Sequence, residues 1–186
     1  DRPIFSTIRH PFDRYVSQYF FGWWRTRSEY YCDVEKVRKK YPHFPDLTFE
    51  EFLQVSANEF GRLFNPLLPE RDGLGWYSRE VVRMFFLDPW HAFYDIDDDY
   101  IDGQRWERDM LDIQFLRTSN LNRELYDFLH EVGYPPNEIQ FILEKETERP
   151  SEQVKDRGGR TVDDMFTPET KAFIRHRDRL LFEMFP

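Results

Sequence analysis

From Ile4 to Tyr19 the chain reads IFSTIRHPFDRYVSQY. Its first five residues, 4–8, are short, mostly apolar and rich in β-branched side chains, which is typical of a buried strand. Pro11 then stands where the first turn of a helix tolerates a proline, and Asp13 is favourable in the same turn. Aromatic side chains recur at helical spacing behind it. The segment therefore predicts a strand, a short loop and a helix.

A second strand–helix unit is predicted later in the chain. Residues 113–117 read IQFLR, a plausible strand, and residues 121–132 place leucines and a phenylalanine on one face of a helix. Gly133 follows as a good C-cap for that helix. Two strands that each feed a helix, among many other helices, indicate an α/β layer fold with few parallel strands. We expect a single domain over residues 1–186.

Further helices are predicted from caps and periodicity: at 34–39, from Thr48 with Glu51 as a capping box, at 79–87, and from Thr167 with Pro168 at the first helical position. The helix that begins after Thr167 is expected to run on as one continuous final helix. The acidic segment 95–103 is rich in turn-forming residues and is predicted as a loop, as are residues 89–91.

Composition limits the classes of function. The chain has 186 residues, enough for one compact domain, and 40% of them are hydrophobic. Its formal net charge of −9 argues against a general nucleic-acid or anionic-membrane surface, so a bound anion requires a local basic pocket. No apolar run is long enough to cross a bilayer. Cys32 is the single cysteine and excludes an intrachain disulfide, which slightly favours the cytoplasm and leaves a secretory lumen open.

Arg9, Arg14 and Ser17 form the most informative pattern in the chain. Arg9 leaves the end of the predicted strand, where an open α/β sheet normally places its ligands. Ser17 lies eight residues further on, on the same helical face as Arg14. A guanidinium can bind two phosphate oxygens, a hydroxyl adds a neutral donor, and a helix N-terminus adds partial positive charge. The pattern predicts an anion-binding site. The alternative is that both arginines merely pair with carboxylates such as Asp13.

This string resembles the 3′-phosphate-binding segment of sulfotransferases, the enzymes that use 3′-phosphoadenosine 5′-phosphosulfate as sulfate donor. In that family an arginine at the strand end and a serine eight residues later bind the 3′-phosphate, and Arg9 and Ser17 hold those positions here. The resemblance implies that these two residues bind the donor, with Arg14 nearby. It requires no metal, and we expect none.

Two later segments carry the resemblance further. Residues 115–121, FLRTSNL, are similar to the late strand of the family, with Ser119 in place of its usual glutamate. Arg117 in this strand is equally well interpreted as a solvent-facing residue. Residues 155–160, KDRGGR, look like the basic, glycine-containing loop that closes over the donor. Arg157 is the first choice among its cations, and a solvated loop is the alternative.

The resemblance also implies parts that this sequence does not contain. The family's 5′-phosphosulfate loop and its catalytic base, a histidine or glutamate, are expected upstream, and no Gly-x-x-x-x-Gly-Lys run occurs. We therefore expect an incomplete P-loop-type three-layer fold, truncated at its N-terminus and inactive alone. The whole enzyme would transfer a sulfuryl group to a hydroxyl or amine, with a carbohydrate as the preferred acceptor. Two other interpretations stay open: a non-catalytic helical interaction or scaffold domain, and a kinase-like nucleotide enzyme.

Other candidate residues are given structural roles. His10 is expected to orient the loop after the first strand, and His91 has no partner carboxylate fixed by the sequence. The aspartates of 95–102 do not fit a calcium-binding EF-hand loop. Tyr100 stands at the required glycine position and Trp106 at the position of the bidentate glutamate. No catalytic residue is assigned within this chain.

Overall fold

The structure is a computed structural model that describes residues 3–61, 73–145 and 159–186. No helix in these ranges is long and apolar enough to cross a membrane. The strands are β1 (Phe5–Ile8) and β2 (Gln114–Arg117), and single 3-10 turns occur at Ser28–Tyr30 and Thr118–Asn120. The helices are α1 (Pro11–Phe21), α2 (Trp23–Thr26), α3 (Val34–Lys40), α4 (Phe49–Glu59), α5 (Trp76–Phe85), α6 (Pro89–Asp95), α7 (Asp98–Asp102), α8 (Trp106–Asp109), α9 (Leu121–Glu131), α10 (Pro136–Ile139), α11 (Phe141–Glu144), α12 (Val162–Met165), α13 (Pro168–Arg177) and α14 (Arg179–Met184).

β1 and β2 form a two-stranded parallel sheet. Phe5 is in register with Gln114, and Ile8 is in register with Arg117. Because parallel neighbours cannot be joined by a tight turn, the chain between them makes a long connection that carries α1 to α8. The described chain is therefore mostly helical with a small parallel sheet, which agrees with the predicted α/β class.

Helices pack against both faces of this sheet. Phe115 of β2 contacts Phe85 of α5 and Phe185 after α14, with ring centroids 5.1 and 4.9 Å apart. Phe5 of β1 contacts Phe128 of α9 at 4.9 Å. Side chains alternate along a strand, and the register offsets Phe5 from Phe115 by one residue. The two groups of contacts therefore lie on opposite faces.

Residues 4–8 were predicted to form a buried strand. The strand is present, but it is not buried along its length. Ile8 is buried, but Ile4 and Phe5 keep 56% and 42% of their surface exposed. The reason is the position of β1 at a sheet edge. β1 pairs with β2 on one side, and within the described residues no strand pairs with its other side.

The hydrophobic core surrounds the inner face of α1. Tyr15 and Val16 have no exposed surface, and Phe12 lies one turn before them on the same face. Trp24 of α2 and Phe52 of α4 are also fully buried, and their rings lie 5.0 Å apart. Burying one large apolar side chain contributes roughly 1.5–3 kcal/mol. Packing therefore holds α1, which carries the predicted anion-binding serine, firmly in the fold.

The predicted continuous final helix is wrong. α13 ends at Arg177, α14 begins at Arg179, and Asp178 between them is fully buried. The Asp178 carboxylate accepts hydrogen bonds from the Tyr15 hydroxyl of α1 and from the backbone N–H of Ser78 in α5. The break therefore lies in the core, where these donors compensate part of the cost of burying the carboxylate.

Two segments predicted as loops are helical. α6 includes His91, whose backbone N–H donates to the side chain of Asp88, the N-cap residue. α7 lies within the acidic segment 95–103, and Asp97 caps it by accepting from the N–H of Tyr100 at 2.8 Å. Aspartates disfavour helix interiors but favour N-caps and first turns, so an acidic, turn-like composition also fits the start of a short helix.

The predicted caps are confirmed. Thr48 and Glu51 form the reciprocal capping box at the start of α4. Thr167 caps α13 with Pro168 at the first helical position. Gly133 follows α9 with a φ of 97°, the left-handed backbone that glycine adopts without strain.

Candidate anion-binding site

Arg9 and Ser17 meet at the carboxyl end of β1. Arg9 directly follows the last residue of the strand, and Ser17 lies on α1. The Nη1 atom of Arg9 donates a hydrogen bond to Oγ of Ser17 at 2.6 Å, and both side chains are partly buried. The strand, the turn at His10 and the first turns of α1 thus bring these two predicted residues together.

This hydrogen bond leaves both side chains with donors for an anion. An arginine has five N–H donors, and a serine hydroxyl that accepts one of them can still donate its own proton. No carboxylate within the described residues forms an ion pair with Arg9, which argues against the pairing with Asp13 considered above. The pair therefore places the positive charge of Arg9 beside the Ser17 hydroxyl, and within the described residues this charge has no acidic partner.

Arg14 is held by α5 and does not join the pair. Its guanidinium carbon lies 4.4 Å from the centroid of the Tyr77 ring, a cation–π contact. Burial raises the pKa of the Tyr77 hydroxyl, and the charge of Arg14 acts in the opposite direction. No hydrogen bond within the described ranges joins Arg14 to Arg9 or Ser17. Its charge still lies on the neighbouring turn of the helix face that carries Ser17.

The N-terminus of α1 lies beside the pair. His10, the N-cap residue, makes no side-chain hydrogen bond to the first turn. Its ring packs on Phe12 and Phe182, with centroids 5.4 and 5.8 Å apart, and its carbonyl accepts from the N–H of Arg14. His10 thus orients this turn through packing and its backbone. Asp13 in the first turn adds a negative charge that stabilises the helix and opposes anion binding.

A buried polar network holds α1 on its core-facing side. Asp178 accepts from the Tyr15 hydroxyl at 2.5 Å and from the N–H of Ser78 at 2.8 Å. Arg79 is also buried and donates to two backbone carbonyls. Burial raises the pKa of Asp178, and its hydrogen-bond donors and the charge of Arg79 offset part of that rise. Burial and the Asp178 charge together raise the pKa of Tyr15 well above its ordinary 10.0.

Sequence reasoning missed this network. Tyr15 reads as one more core aromatic in α1, and Asp178 lies inside the predicted final helix. The two are 163 positions apart, so no local pattern links them. The one available signal was an aspartate inside a predicted helix, where its helix propensity is poor.

The predicted donor-closing loop falls mostly outside the described residues, and Arg157 is among those that lie outside them. The described chain resumes at Gly159, and the α12 helix that soon follows packs against α1. Phe166, just after α12, contacts Phe12 of α1 with ring centroids 4.8 Å apart. The described end of this segment therefore lies beside the helix that carries Ser17.

A second arginine lies at the same end of the sheet, the carboxyl end of its strands. Arg117 ends β2 and is exposed, and its register with Ile8 places it one position from Arg9 along the strand direction. Its backbone N–H donates to Glu124 of α9. Ser119 is exposed in the following 3-10 turn. The negative charge of Glu124 therefore lies close to Arg117 at this strand end.

The remaining candidates occupy surface or core positions. His91 forms an exposed pair with Asp95 on α6, at 3.2 Å. Burial raises the pKa of the Cys32 thiol to about 12, so it stays protonated at neutral pH. The described residues contain no group of three or more histidine, cysteine, aspartate or glutamate side chains that could hold a metal ion.

Comparisons of this chain with protein-family models, with curated proteins and with solved structures find no match. A function is therefore inferred from the residues of the chain itself.

Proposed function

We propose that this chain recognises the 3′-phosphate of 3′-phosphoadenosine 5′-phosphosulfate as part of a sulfotransferase. One observation carries the proposal. Arg9 and Ser17 are joined by a 2.6 Å hydrogen bond beyond the carboxyl end of a parallel strand, and no carboxylate in the described ranges pairs with Arg9. Open α/β sheets bind their ligands beyond the carboxyl ends of their strands.

A phosphate monoester suits this pair chemically. It is close to a dianion at neutral pH and offers three strong acceptor oxygens. The Arg9 guanidinium would bind two of them, and the Ser17 hydroxyl would donate to the third. Because the chain carries a net charge of −9, the positive potential has to be local. Arg14 on the turn before Ser17 adds to it, and Arg157 is proposed to close over the donor.

The finer fold belongs to the same proposal. Helices on both faces of a parallel strand pair support a single domain with an incomplete P-loop-type three-layer fold. The sequence has no Gly-x-x-x-x-Gly-Lys run that could hold the 5′-phosphosulfate. In this proposal the 5′-side loop and the catalytic base belong to other parts of a parent enzyme. In this proposal the 186 residues alone bind the donor and do not catalyse sulfuryl transfer.

The reaction of that enzyme would be sulfuryl transfer. A hydroxyl or amine of the acceptor forms a bond to sulfur while the bond between sulfur and the bridging oxygen of the donor breaks. The products are the sulfated acceptor and 3′,5′-adenosine bisphosphate, and the acceptor proton passes to a base. Such transfer needs in-line geometry and positive charge near the bridging oxygen, as phosphoryl transfer does. It requires no metal, and a carbohydrate is the preferred acceptor by resemblance.

Calorimetric titration with 3′,5′-adenosine bisphosphate tests the assignment, on this chain and on any longer parent protein. Arg9→Ala should weaken binding by more than ~1.5 kcal/mol, the scale of one lost charged hydrogen bond. Arg123→Ala is the matched control, because Arg123 pairs with Asp127 on the exposed face of α9, and such pairs contribute little. Unchanged affinity after Arg9→Ala removes the proposal.

Nucleotide selectivity separates the rival functions. A donor site of the proposed kind prefers 3′,5′-adenosine bisphosphate over adenosine 5′-diphosphate, which lacks the 3′-phosphate. Equal affinity for both would favour a kinase-like nucleotide enzyme. No binding of either nucleotide by the parent protein would favour the scaffold domain. The mostly helical structure is consistent with that alternative.

A further inference from the structure

An open groove lies at the other end of the sheet from Arg9. It has a volume of about 390 Å³, and Ile113, Phe115 and Met184 contribute to its apolar wall. Ile113 directly precedes β2, so the groove lies at the amino end of the strands, whereas Arg9 follows their carboxyl end. Strands of this length span roughly 13 Å. The groove is therefore separate from the candidate anion-binding site.

Both charged side chains that line the groove are acidic. Glu107 and Asp112 are exposed, and neither carboxylate has a hydrogen-bond or ion-pair partner within the described residues. Arg108, next to Glu107, is already engaged by Asp109 at 2.8 Å. An apolar wall with two unpaired carboxylates favours a ligand that is both apolar and cationic.

Two exposed leucines lie at an antiparallel bridge beside the groove. An isolated antiparallel bridge between Phe86 and Met110 holds the chain before β2 against the end of α5. The backbone N–H groups of Leu87 and Leu111 donate across this bridge, which places both leucines beside it. Leu87 is 65% exposed, and Leu111, 38% exposed, also lines the groove. Exposed apolar residues among polar groups are typical of interaction sites.

We propose that this groove binds a segment of a partner protein in which lysines or arginines flank an apolar side chain. The apolar side chain packs against Phe115 and Met184, and the cations face Glu107 and Asp112. Charge complementarity selects this partner, because an acidic segment is repelled and a neutral one leaves both carboxylates unpaired. The open shape suits a length of chain, whereas small ligands are held in pockets that bury most of their surface.

Fluorescence anisotropy on the whole chain tests the proposal with a defined probe. The probe is a fluorescein-labelled peptide in which lysines flank a leucine–phenylalanine pair, and its control peptide carries glutamates in place of the lysines. The lysine peptide should bind, more weakly as salt rises, and the glutamate peptide should not. Glu107→Gln with Asp112→Asn should weaken binding about threefold to tenfold. Glu131→Gln with Glu138→Gln, at exposed positions outside the groove, is the matched control and should leave the affinity unchanged.

Several results would overturn this assignment. They are no binding of the lysine peptide, equal affinity for both peptides, or an unaltered affinity in the Glu107→Gln, Asp112→Asn variant. Binding of phenethylamine in the absence of peptide binding would assign the groove to a small cationic ligand. Self-association in analytical ultracentrifugation that the same double variant abolishes would assign it to a second copy of this chain.

Discussion

The hydroxyl of Tyr15 donates a hydrogen bond of 2.5 Å to the carboxylate of Asp178, although 163 positions separate the two residues. Both side chains are fully buried. The contact joins α1 to the break between α13 and α14, and the N–H of Ser78 adds α5 to the same point. The helix that presents Ser17 is thus fixed from inside the protein by a polar network, in addition to its apolar packing.

Asp178 should make the stability of the fold fall as the pH rises. Burial raises the pKa of its carboxyl above the ordinary 3.8. The folded state then binds more protons than the unfolded state, so the contribution of Asp178 is complete below pH 3.8. That contribution is lost as the pH rises through the folded-state pKa. The free energy of unfolding in urea should be measured from below pH 3.8 upward. It should fall more steeply with rising pH in the wild type than in Asp178→Asn. Identical pH profiles for the two proteins would contradict the raised pKa.

Gly75→Ala should destabilise the protein by about 1–3 kcal/mol through overpacking. A Cβ atom there would lie 2.6 Å from Oδ1 of Asp178, while its φ of −64° suits any residue. Gly133→Ala is the control: it has a φ of 97° and no described atom within 4 Å, so only backbone strain of roughly 1 kcal/mol is expected. Urea unfolding of both variants checks the difference.

A double-mutant cycle identifies the cause of the Gly75 effect. If the collision is with the carboxylate, the penalty of Gly75→Ala should shrink in an Asp178→Ala background, because the two sites are in contact. Additive penalties would show that the alanine methyl group disturbs some other contact.

Arg14→Met should lower the free energy of unfolding by about 0.5–2 kcal/mol, because it removes the cation–π contact with Tyr77 and keeps a side chain of similar length. The affinity for 3′,5′-adenosine bisphosphate should fall less than in Arg9→Met, since Arg14 lies on Tyr77 and adds only its charge to the site. Urea unfolding and calorimetry report the two effects separately. Equal losses of affinity would place Arg14 in direct contact with the donor.

Asp13→Asn should raise the affinity for 3′,5′-adenosine bisphosphate about twofold to fivefold at low salt, because it removes a carboxylate one turn before Ser17. The gain should shrink as added salt screens the charge. The helix should lose about 0.3–1 kcal/mol, because the carboxylate complements the dipole in the first turn. A calorimetric salt series checks the direction, and a lower affinity would argue against an anion at this helix start.

Local patterns predicted the elements that form the candidate site. Pro11, the caps at Thr48 and Thr167, and Gly133 act within a few residues of themselves, so the sequence shows them directly. The bounds of α5 were less accurate: the predicted 79–87 begins three residues late, because the helix already starts after Gly75. The single-turn helices α10 and α11 are not predicted, since segments that short carry little periodicity.

Long-range packing decides what the sequence pattern did not reveal. The side chain of Arg14 turns to Tyr77, and Asp178 is buried against Tyr15. Each of these outcomes depends on a residue or strand far along the chain. Spacing within a single segment places Arg14 and Ser17 on one helix face, but it does not show where a long side chain ends.

The hydrogen bond between Tyr15 and Asp178 also orders events during biosynthesis. Because translation runs from the N-terminus, β1 and α1 leave the ribosome before β2, and Asp178 follows Tyr15 by 163 positions. Until Asp178 emerges, the Tyr15 hydroxyl lacks the acceptor that it has in the folded core. The helix that carries Ser17 therefore gains this support only after translation has passed Asp178.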